Sequence, residues 1–439
     1  MANDRSWAVL TRLTRWLDPF KACFGHRAQA ISLRPYVEGL LSDSARKSMQ
    51  AMLARLTDPV PYQAFQHFIT HAPWDATVVW RRLLSGLPER QGVLVLDDTG
   101  FPKQGRHSVG VARQYSGTLG KIGNCQVAVT AALWTGVRAW LVGAELYLPR
   151  EWLTPERRAE AGLAGTLRFR EKWRLALTLF RRARAAGLRL DAVLADSAYG
   201  DVTAFRTAVE RMRLRYAVGI SAHLTVFPGR PRVLASLPSP RGGRPRKRPL
   251  LHPKDRPLSV SALAKKLPRR AWRCVSWRNG KNRPWEAEFA AVRVTPAHEW
   301  RRGRIAEEVW LLCQRPVGAK AARKFYFLNL PPRARLSQLV RLAHQRWAVE
   351  QQYQNLKTEL GLDHFEGRSY RGWKHHVVLC AVAYAFLQKE RMRPRPGRTL
   401  TFPAAHAVVQ EVFTGLLFLK HPRYFTWLKK GQRFLQLRM

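Results

Sequence analysis

The chain has 439 residues, and its 76 lysines and arginines against 30 aspartates and glutamates give a formal net charge of +46 at pH 7. Apolar residues make up 46 % of the chain, which excludes a disordered basic tail as a description of the whole. The length predicts about two to four domains with cores of their own. A basic excess this large predicts a polyanionic partner, and nucleic acid is the most economical one.

The spacing of the cysteines and the length of the apolar segments predict the cellular compartment of the protein. The 5 cysteines include no Cys-x-x-Cys pair, so neither a zinc cluster nor a disulfide framework is expected. The longest apolar stretch, residues 377–387, is about half of what a membrane span needs. No secretory signal is visible at the N-terminus. We therefore expect a soluble cytoplasmic protein without a membrane partner.

Residues 1–88 have a helical pattern. Apolar positions recur at helical spacing over residues 33–56, with Pro35 near the start, where proline is tolerated. Either a small helical DNA-binding module or a helical cap packed on the next domain accounts for this region.

From Val93 the pattern is that of a mixed α/β layer. Residues 93–96 form a continuous apolar run, as in a strand buried on both faces. Two more strands are predicted at 126–134 and 139–146, with a turn at Gly136. A helix, a strand, a helix and a strand follow, at 168–186, 191–195, 202–212 and 216–220. Together these elements predict a central sheet covered by helices.

A strand-rich segment then interrupts this pattern. Residues 229–257 are rich in Pro, Gly, Arg and Lys, including the basic run 241–248, and predict an exposed loop. Short β-type runs follow at 272–277, 286–294, 308–313 and 325–328. Helices predicted at 336–360 and 372–390 resume the α/β pattern, and the basic, aromatic tail from residue 396 is left unassigned.

Two aspartates directly follow predicted buried strands. Asp97 follows the run 93–96, and Asp196 follows the run 192–195. A carboxylate at the end of a buried strand faces the rim of the sheet, where sites form. The sequence Asp97-Asp98-Thr99-Gly100 is equally typical of a turn, so each aspartate alone leaves both interpretations open.

A third carboxylate, Glu350, lies on the predicted helix 336–360. At about 100° per residue, Arg346 and Lys357 fall within about 40° of Glu350 on the helix surface. The pair Arg346–Glu350 alone would be an ordinary surface ion pair at i,i+4 spacing. That interpretation does not explain a second basic residue seven positions further on.

Three carboxylates from distant parts of the chain suit metal-dependent phosphodiester chemistry. Two Mg²⁺ ions about 4 Å apart can activate a nucleophile and stabilise a leaving oxygen. Hard cations prefer oxygen ligands, and without them clustered carboxylates would repel one another. Neighbouring arginine and lysine suit DNA phosphates. The layout predicts a metal-dependent DNA strand-transfer enzyme or a nuclease.

The segments around these residues resemble the catalytic blocks of the DDE transposases of bacterial insertion sequences. Residues 93–105 resemble the first block, whose Asp-x-Thr core assigns the first carboxylate to Asp97 and the variable position to Asp98. Residues 195–201 resemble the second block, which contains Asp196.

The segment around Glu350 resembles the Tyr-Arg-Glu-Lys signature helix of the same family, with Arg346 and Lys357 at the matching positions. The signature has a tyrosine where this chain has Ala343. The supporting role of that tyrosine near the cleaved strand is therefore open, or it is taken by another residue such as Tyr353.

The resemblance implies an α/β fold with a ribonuclease-H-like mixed sheet flanked by helices. It also implies a β-rich insertion before the helix of Glu350 and an N-terminal helical region. The regions expected are an N-terminal helical DNA-binding region (1–88), a first part of the catalytic core (89–220), a β-rich insertion with a basic loop (221–330), a second part of the core (331–395) and a basic C-terminal tail (396–439).

The activity implied by the resemblance is DNA transposition by a cut-and-paste mechanism. Asp97, Asp196 and Glu350 would hold two Mg²⁺ ions, with Mn²⁺ as a substitute, and Arg346 and Lys357 would bind DNA phosphates. The partners would be double-stranded DNA, as terminal inverted repeats and target, and a second copy of the chain in a homodimeric synaptic complex. The protein would then act at the bacterial nucleoid in the cytoplasm.

Further roles and rival functions stay open. The basic run 241–248 is either a DNA-tracking element or a solvated linker. Trp272, Trp277 and Trp285 are stacking residues for DNA or core residues. His375 and His376 are structural or phosphate-facing, since Mg²⁺ prefers oxygen ligands. The rival functions are a catalytically inactive DNA-binding descendant of a transposase, a ribonuclease-H-like nuclease such as a junction resolvase, and a non-catalytic RNA-binding protein.

Overall fold

The computed structural model describes residues 2–234, 250–279, 284–298, 300, 305–394 and 400–421. The basic run 241–248 lies outside the described residues. The N-terminal region is helical, as predicted, with α1 (Ala2–Leu17), α2 (Arg27–Leu41), α3 (Met49–Leu53), α4 (Tyr62–Thr70) and α5 (Ala76–Ser85). The apolar stretch 33–56 is divided between α2 and α3. Because α2 begins earlier than the apolar pattern indicates, Pro35 lies inside the helix and not near its start.

The core contains β1 (Gln91–Pro102), β2 (Ala112–Ser116), β3 (Lys121–Trp134), β4 (Ala139–Leu146), α6 (Pro155–Ala161), α7 (Lys172–Ala185), β5 (Arg189–Ala195), α8 (Ser197–Gly200), α9 (Thr203–Arg211) and β6 (Arg215–Ile220). The strand order is β4-β3-β1-β5-β6, in which β3 is antiparallel to its neighbours and β1, β5 and β6 are parallel. This is the ribonuclease-H-like arrangement, and it confirms the predicted fold class.

The first strand is longer than predicted. Asp97-Asp98-Thr99-Gly100 pairs with β3 in an antiparallel ladder, from Asp97↔Thr130 to Gly100↔Val127. The turn interpretation of these four residues is therefore wrong, and Asp97 lies within β1 and not after its end. On its other edge, the pairing of β1 with β5 stops at Val95↔Leu194. Asp97 is thus still at the rim of the parallel part of the sheet.

The inserted strands continue the core sheet. This segment contains β7 (Thr225–Pro228), β8 (Val233–Leu234), β9 (Leu250–Leu251), β10 (Leu258–Ser259), α10 (Val260–Lys266), β11 (Arg273–Asn279), β12 (Pro284–Pro296), β13 (Val309–Arg315) and β14 (Lys324–Leu328). The strands predicted here are present. Because β14 pairs with β6, from Phe325↔Ile220 to Leu328↔Ala217, the described strands β11 to β14 belong to the same sheet as the core.

The predicted single helix 336–360 is two helices, α11 (Leu336–His344) and α12 (Trp347–Thr358). At the junction, the Ala348 N–H donates to the Gln345 carbonyl (3.2 Å) and the Val349 N–H to the Arg346 carbonyl (3.1 Å). These i→i+3 bonds tighten the backbone into a 3₁₀-like turn. Neither proline nor glycine marks the break, so the apolar spacing alone does not reveal it.

Two long helices complete the core, α13 (Tyr370–Arg391) and α14 (Phe402–Lys420). The N-terminal helices pack on α13 as a cap: the Trp16 indole donates to the Val382 carbonyl (3.2 Å), and Arg12 forms two 2.8 Å hydrogen bonds with Glu390. By length and composition alone α14 also suits a membrane span. Here its Val409 and Phe413 side chains are buried in the hydrophobic core.

Close backbone contact holds the loop after β5 against β6. A Cβ atom added at Gly200 would overlap the carbonyl oxygen of Gly219, and one added at Gly219 would lie 3.1 Å from the Ser197 nitrogen. Asp196 precedes this loop and caps α8, since its Oδ1 accepts a hydrogen bond from the Ala198 N–H (3.0 Å). The two glycines therefore set where the Asp196 carboxylate lies.

Gly200→Ala is expected to lower the free energy of unfolding by about 3 kcal/mol, because the backbone of α8 or β6 must shift to admit a methyl group. Urea unfolding followed by tryptophan fluorescence measures the loss. Gly25→Ala is the matched control, since its added Cβ meets nothing within 4 Å. It should change the unfolding free energy by about 1 kcal/mol at most. Equal stability of the two variants would contradict the close-contact argument.

Two histidines of α13 lie in the core. His375 stacks on Trp74 with ring centroids 3.5 Å apart. His376 accepts a hydrogen bond at Nδ1 from the Tyr36 hydroxyl and donates one from Nε2 to the Gly361 carbonyl, both at 2.9 Å. A carbonyl can only accept, so Nε2 carries the proton and Nδ1 is the acceptor, as in a neutral imidazole. Burial lowers the pKa of His376 to about 4. Both histidines have structural contacts, as one of the two interpretations expected.

The low pKa of His376 predicts acid destabilisation. Below about pH 6.5 the unfolded chain binds a proton at this residue that the native state does not. The stabilising contribution is thus complete above pH 6.5 and is lost as the pH falls toward 4, by up to about 1.4 kcal/mol per pH unit. Urea midpoints between pH 7 and 4.5 should fall less steeply for His376→Gln than for the wild type. The exposed His67→Gln should keep the wild-type slope, and identical slopes for all three proteins would refute the assignment.

Candidate active site

Asp97 and Asp196 lie near each other at the rim of the sheet. The parallel ladder runs from Val93↔Ala192 to Val95↔Leu194, and each aspartate lies two residues beyond the last pair. They are close enough for the charge of Asp196 to act on Asp97. Burial raises the pKa of Asp97 to about 7; Arg346 opposes this shift and the charge of Asp196 adds to it. The pKa of Asp196 is also raised, by burial and then by the charge of Asp98.

Asp98 has partners on different elements. Its Oδ2 accepts a hydrogen bond from Lys172 Nζ on α7 (2.7 Å), and its Oδ1 accepts one from the Tyr199 hydroxyl on α8. Adjacent side chains of a strand point to opposite faces, so the hydrogen-bond partners of Asp98 differ from those of Asp97, although the charge of Asp98 also acts on Asp196. The sequence reasoning missed Lys172 and Tyr199. Of these two residues, only Tyr199 could have been found from the sequence, since it lies in the family-like block that contains Asp196.

Arg346 is the common partner of the predicted carboxylates. Its Nη1 donates to Asp97 Oδ2 (2.6 Å), and its Nη2 lies 3.6 Å from Glu350 Oε1. Burial alone would lower the pKa of Arg346, but the charges of Asp97, Asp196 and Glu350 outweigh it and raise this pKa. One guanidinium thus balances negative charge from a strand, from the loop after a second strand and from a helix.

Glu350 lies at the exposed side of this cluster. Its side chain is 67 % exposed and reaches the cluster through Arg346. Within the described ranges, no group of three or more His, Cys, Asp or Glu side chains is placed to hold a metal ion. The oxygen donors nevertheless fit Mg²⁺ in kind, because carboxylates directed at one cation are the ligands that this ion prefers. The three-carboxylate metal site stays a prediction.

Lys357 makes internal contacts. Its Nζ donates to the Gly100 carbonyl (2.8 Å) and to the Thr118 hydroxyl (3.0 Å). It therefore ties α12 to β1 and to the turn between β2 and β3. Burial lowers the pKa of Lys357. Its predicted role at a DNA phosphate has no support from these contacts and stays a prediction.

Tyr353 is connected to the backbone of Asp97 through Thr130. Its hydroxyl hydrogen-bonds with Thr130, whose hydroxyl also donates to the Asp97 carbonyl (3.1 Å). Burial, and next the charge of Asp97, raise the pKa of Tyr353 well above its usual value. Ala343, at the position of the signature tyrosine, is buried. Tyr353 therefore contacts the strand that carries the first carboxylate, although its role in the reaction stays a prediction.

The inserted strands contact the junction before α12. Trp277 stacks on His344 with centroids 4.0 Å apart, and the Arg278 guanidinium lies 3.5 Å from the centroid of the Trp347 ring. Trp272 is buried, which fits the core interpretation, whereas Trp285 is 53 % exposed. The insertion thus packs directly on the segment that presents Arg346. Roles of these tryptophans in DNA binding stay predictions.

A ribonuclease-H-like sheet with two neighbouring aspartates at its rim is typical of nucleases. The chain matches the family described as DDE superfamily endonuclease over residues 19–284, and it belongs to that family. The matched segment includes Asp97 and Asp196 and ends before Glu350.

One curated relative is a "Probable transposase for insertion sequence element IS701" from Microchaete diplosiphon, 33 % identical over 191 residues. The match covers 42 % of this chain and 47 % of the relative, so the chain spans about half of the relative's length. A solved structure, a cryo-EM structure of a piggyBac transposase synaptic complex with hairpin DNA, matches with a TM-score of 0.45 and 8 % identity. That match covers 95 % of this chain and 79 % of the other.

Proposed function

We propose that this protein is a transposase of a bacterial insertion sequence. It cuts DNA at the ends of its element and joins the freed ends to target DNA by a cut-and-paste mechanism. Membership of the endonuclease family supports the cleavage chemistry. The observation that carries the proposal is the 2.6 Å contact of Arg346 with Asp97, because it brings the signature segment with Glu350 to the strand that carries the first predicted carboxylate.

Asp97, Asp196 and Glu350 are the residues that would hold the two Mg²⁺ ions, or Mn²⁺ in their place. When bound, such ions activate a nucleophile and stabilise the leaving oxygen. The chain's own residues do the positioning. Gly200 and Gly219 hold the Asp196 loop against β6, and Tyr353 and Thr130 support β1 at Asp97. Arg346, once released from Asp97, would bind a DNA phosphate near the cut, with Lys357 as the second predicted phosphate contact.

The proposed partners are double-stranded DNA, as terminal inverted repeats and target, and a second copy of the chain in the synaptic complex. The net charge of +46 supports the polyanionic partner. Action at the bacterial nucleoid in the cytoplasm follows from that partner. The same proposal includes the division of the chain into five regions, from the N-terminal helical DNA-binding region (1–88) to the basic C-terminal tail (396–439).

The direct test is nicking of a labelled terminal-repeat duplex by the purified protein. We expect cleavage at the repeat end in Mg²⁺ and none in EDTA. Binding without nicking would favour the inactive DNA-binding descendant. Preferential cutting of a four-way junction over the repeat end would favour a junction resolvase. Either result would overturn the proposed function.

A further inference from the structure

We infer that the hairpin formed by β2 and β3 is a binding surface for an unpaired DNA strand beside the candidate active site. This inference rests on the proposed function, since it assigns part of the DNA substrate to a particular surface. The surface, called the hairpin surface below, consists of Tyr115, Ile122 and the adjoining groove that contains Arg113.

Two large apolar side chains are exposed together on this hairpin. Tyr115 is 63 % exposed and Ile122 is 59 % exposed. They are directly opposite each other in the β2–β3 ladder. Single exposed apolar residues are ordinary, but an aromatic and an aliphatic side chain paired across two strands form a continuous apolar patch. An exposed patch contributes little to the stability of the isolated protein. We therefore expect a binding partner to cover it.

The hairpin is fastened next to the candidate site. A Cβ atom at Gly100 of β1 would overlap the hydroxyl of Ser116, which is buried beside it. Lys357 from α12 bonds both the Gly100 carbonyl and Thr118 in the hairpin turn. Gly100 follows Asp97 by three residues, which is about 10 Å along a strand. A strand of DNA that leads away from a phosphate at Asp97 would therefore meet the hairpin.

The groove beside the apolar pair is cationic. It has a volume of about 480 Å³, and its charged lining residues are Arg106, Arg113, Arg157 and Glu151. Arg113 lies two positions before Tyr115 on β2, and therefore on the same face of the hairpin. Arg157 also forms an ion pair with Glu160 (2.8 Å). The groove therefore keeps an excess of positive charge from Arg106 and Arg113 over Glu151, and this excess complements a phosphodiester backbone.

The combination of a cationic groove and an exposed aromatic ring is typical of binding to single-stranded nucleic acid. The groove follows the backbone, and the ring stacks on a base without reading its identity. Duplex DNA hides its base faces within the stack, so it would use only the cationic part. The occupant is thus a DNA strand with unpaired bases, as arises at a cleaved end.

The test compares two fluorescein-labelled duplexes of equal sequence, one blunt and one with a six-nucleotide single-stranded overhang, both without Mg²⁺. The double variant Tyr115→Ser with Ile122→Ser should bind the overhang duplex about tenfold more weakly and the blunt duplex as the wild type does. Val137→Ser is the matched control, since Val137 is 67 % exposed in the turn between β3 and β4. It should bind both probes normally.

A second measurement addresses the groove. Arg113→Gln should reduce the slope of log Kd against log salt by about 0.7 for the overhang duplex, as one lost phosphate contact predicts. The inference is overturned if the double variant binds the overhang duplex as the wild type does, or if it loses affinity for both probes equally. Failure of the wild type to nick end DNA in Mg²⁺ would contradict the proposed function instead. The binding comparison could still be interpreted in that case, because it is made without Mg²⁺.

Discussion

Glu350→Ala is expected to reduce Mg²⁺-dependent nicking of terminal-repeat DNA by at least about a thousandfold, because it removes one of three predicted metal ligands. Binding of the same DNA should stay within about twofold of the wild type. The side chain is 67 % exposed, and within the described part of the chain its ion pair is with Arg346, so its loss leaves the core intact. Single-turnover cleavage and fluorescence anisotropy measure the two quantities on one preparation.

Glu411→Ala is the matched control for this variant, since Glu411 is an exposed glutamate on a helix remote in sequence from the site. It should cleave at the wild-type rate. If Glu350→Ala also nicks end DNA at that rate, Glu350 is not a metal ligand, and the assignment of the third carboxylate fails.

Arg346→Gln is expected to bind Mn²⁺ about tenfold more tightly than the wild type when no DNA is present. In the wild type the guanidinium lies 2.6 Å from Asp97 Oδ2 and balances the charge that a metal ion would balance. Removing it leaves the neighbouring carboxylates without this counter-charge, which favours a bound cation. Isothermal titration calorimetry or the electron paramagnetic resonance signal of free Mn²⁺ measures the affinity independently of catalysis.

The same contact predicts coupling between DNA and metal. A DNA phosphate that draws Arg346 away from Asp97 should raise the Mn²⁺ affinity of the wild type, and by linkage Mn²⁺ should raise its DNA affinity by the same factor. Arg346→Gln should lack this coupling. Arg12→Gln, which breaks the ion pair with Glu390 outside the site, is the control and should leave metal affinity unchanged. Unchanged or weaker Mn²⁺ binding by Arg346→Gln would contradict the counter-charge role.

Local patterns predicted most elements of this fold. The strands at 139–146 and 191–195 and the helix at 372–390 follow from apolar runs and helical spacing, which depend on a few neighbouring residues. The two aspartates were found because each follows an apolar run. Family-like blocks then connected them with Glu350, which no local pattern could do.

The errors have a common cause, which is contact between distant parts of the chain. The apolar run 93–96 predicts that Asp97 follows a strand, yet β1 continues because β3 pairs with it as far as Pro102. The apolar spacing predicts one helix over 336–360, yet this helix breaks near His344, on which Trp277 of the insertion stacks. Neither partner is close in sequence to the residue that it affects.

The amino-acid sequence by itself determined the class of sheet and the strong positive charge, and it predicted which carboxylates are candidate metal ligands, because hydrophobic periodicity and residue type are properties of short segments. Only the tertiary structure decided that Arg346 is the shared counter-charge of these carboxylates and that Asp98 hydrogen-bonds with Lys172 and Tyr199. It also decided that the inserted strands extend the core sheet. Each of these depends on side chains or strand edges brought together by folding from positions tens to hundreds of residues apart, and such contacts leave no periodic trace in the sequence.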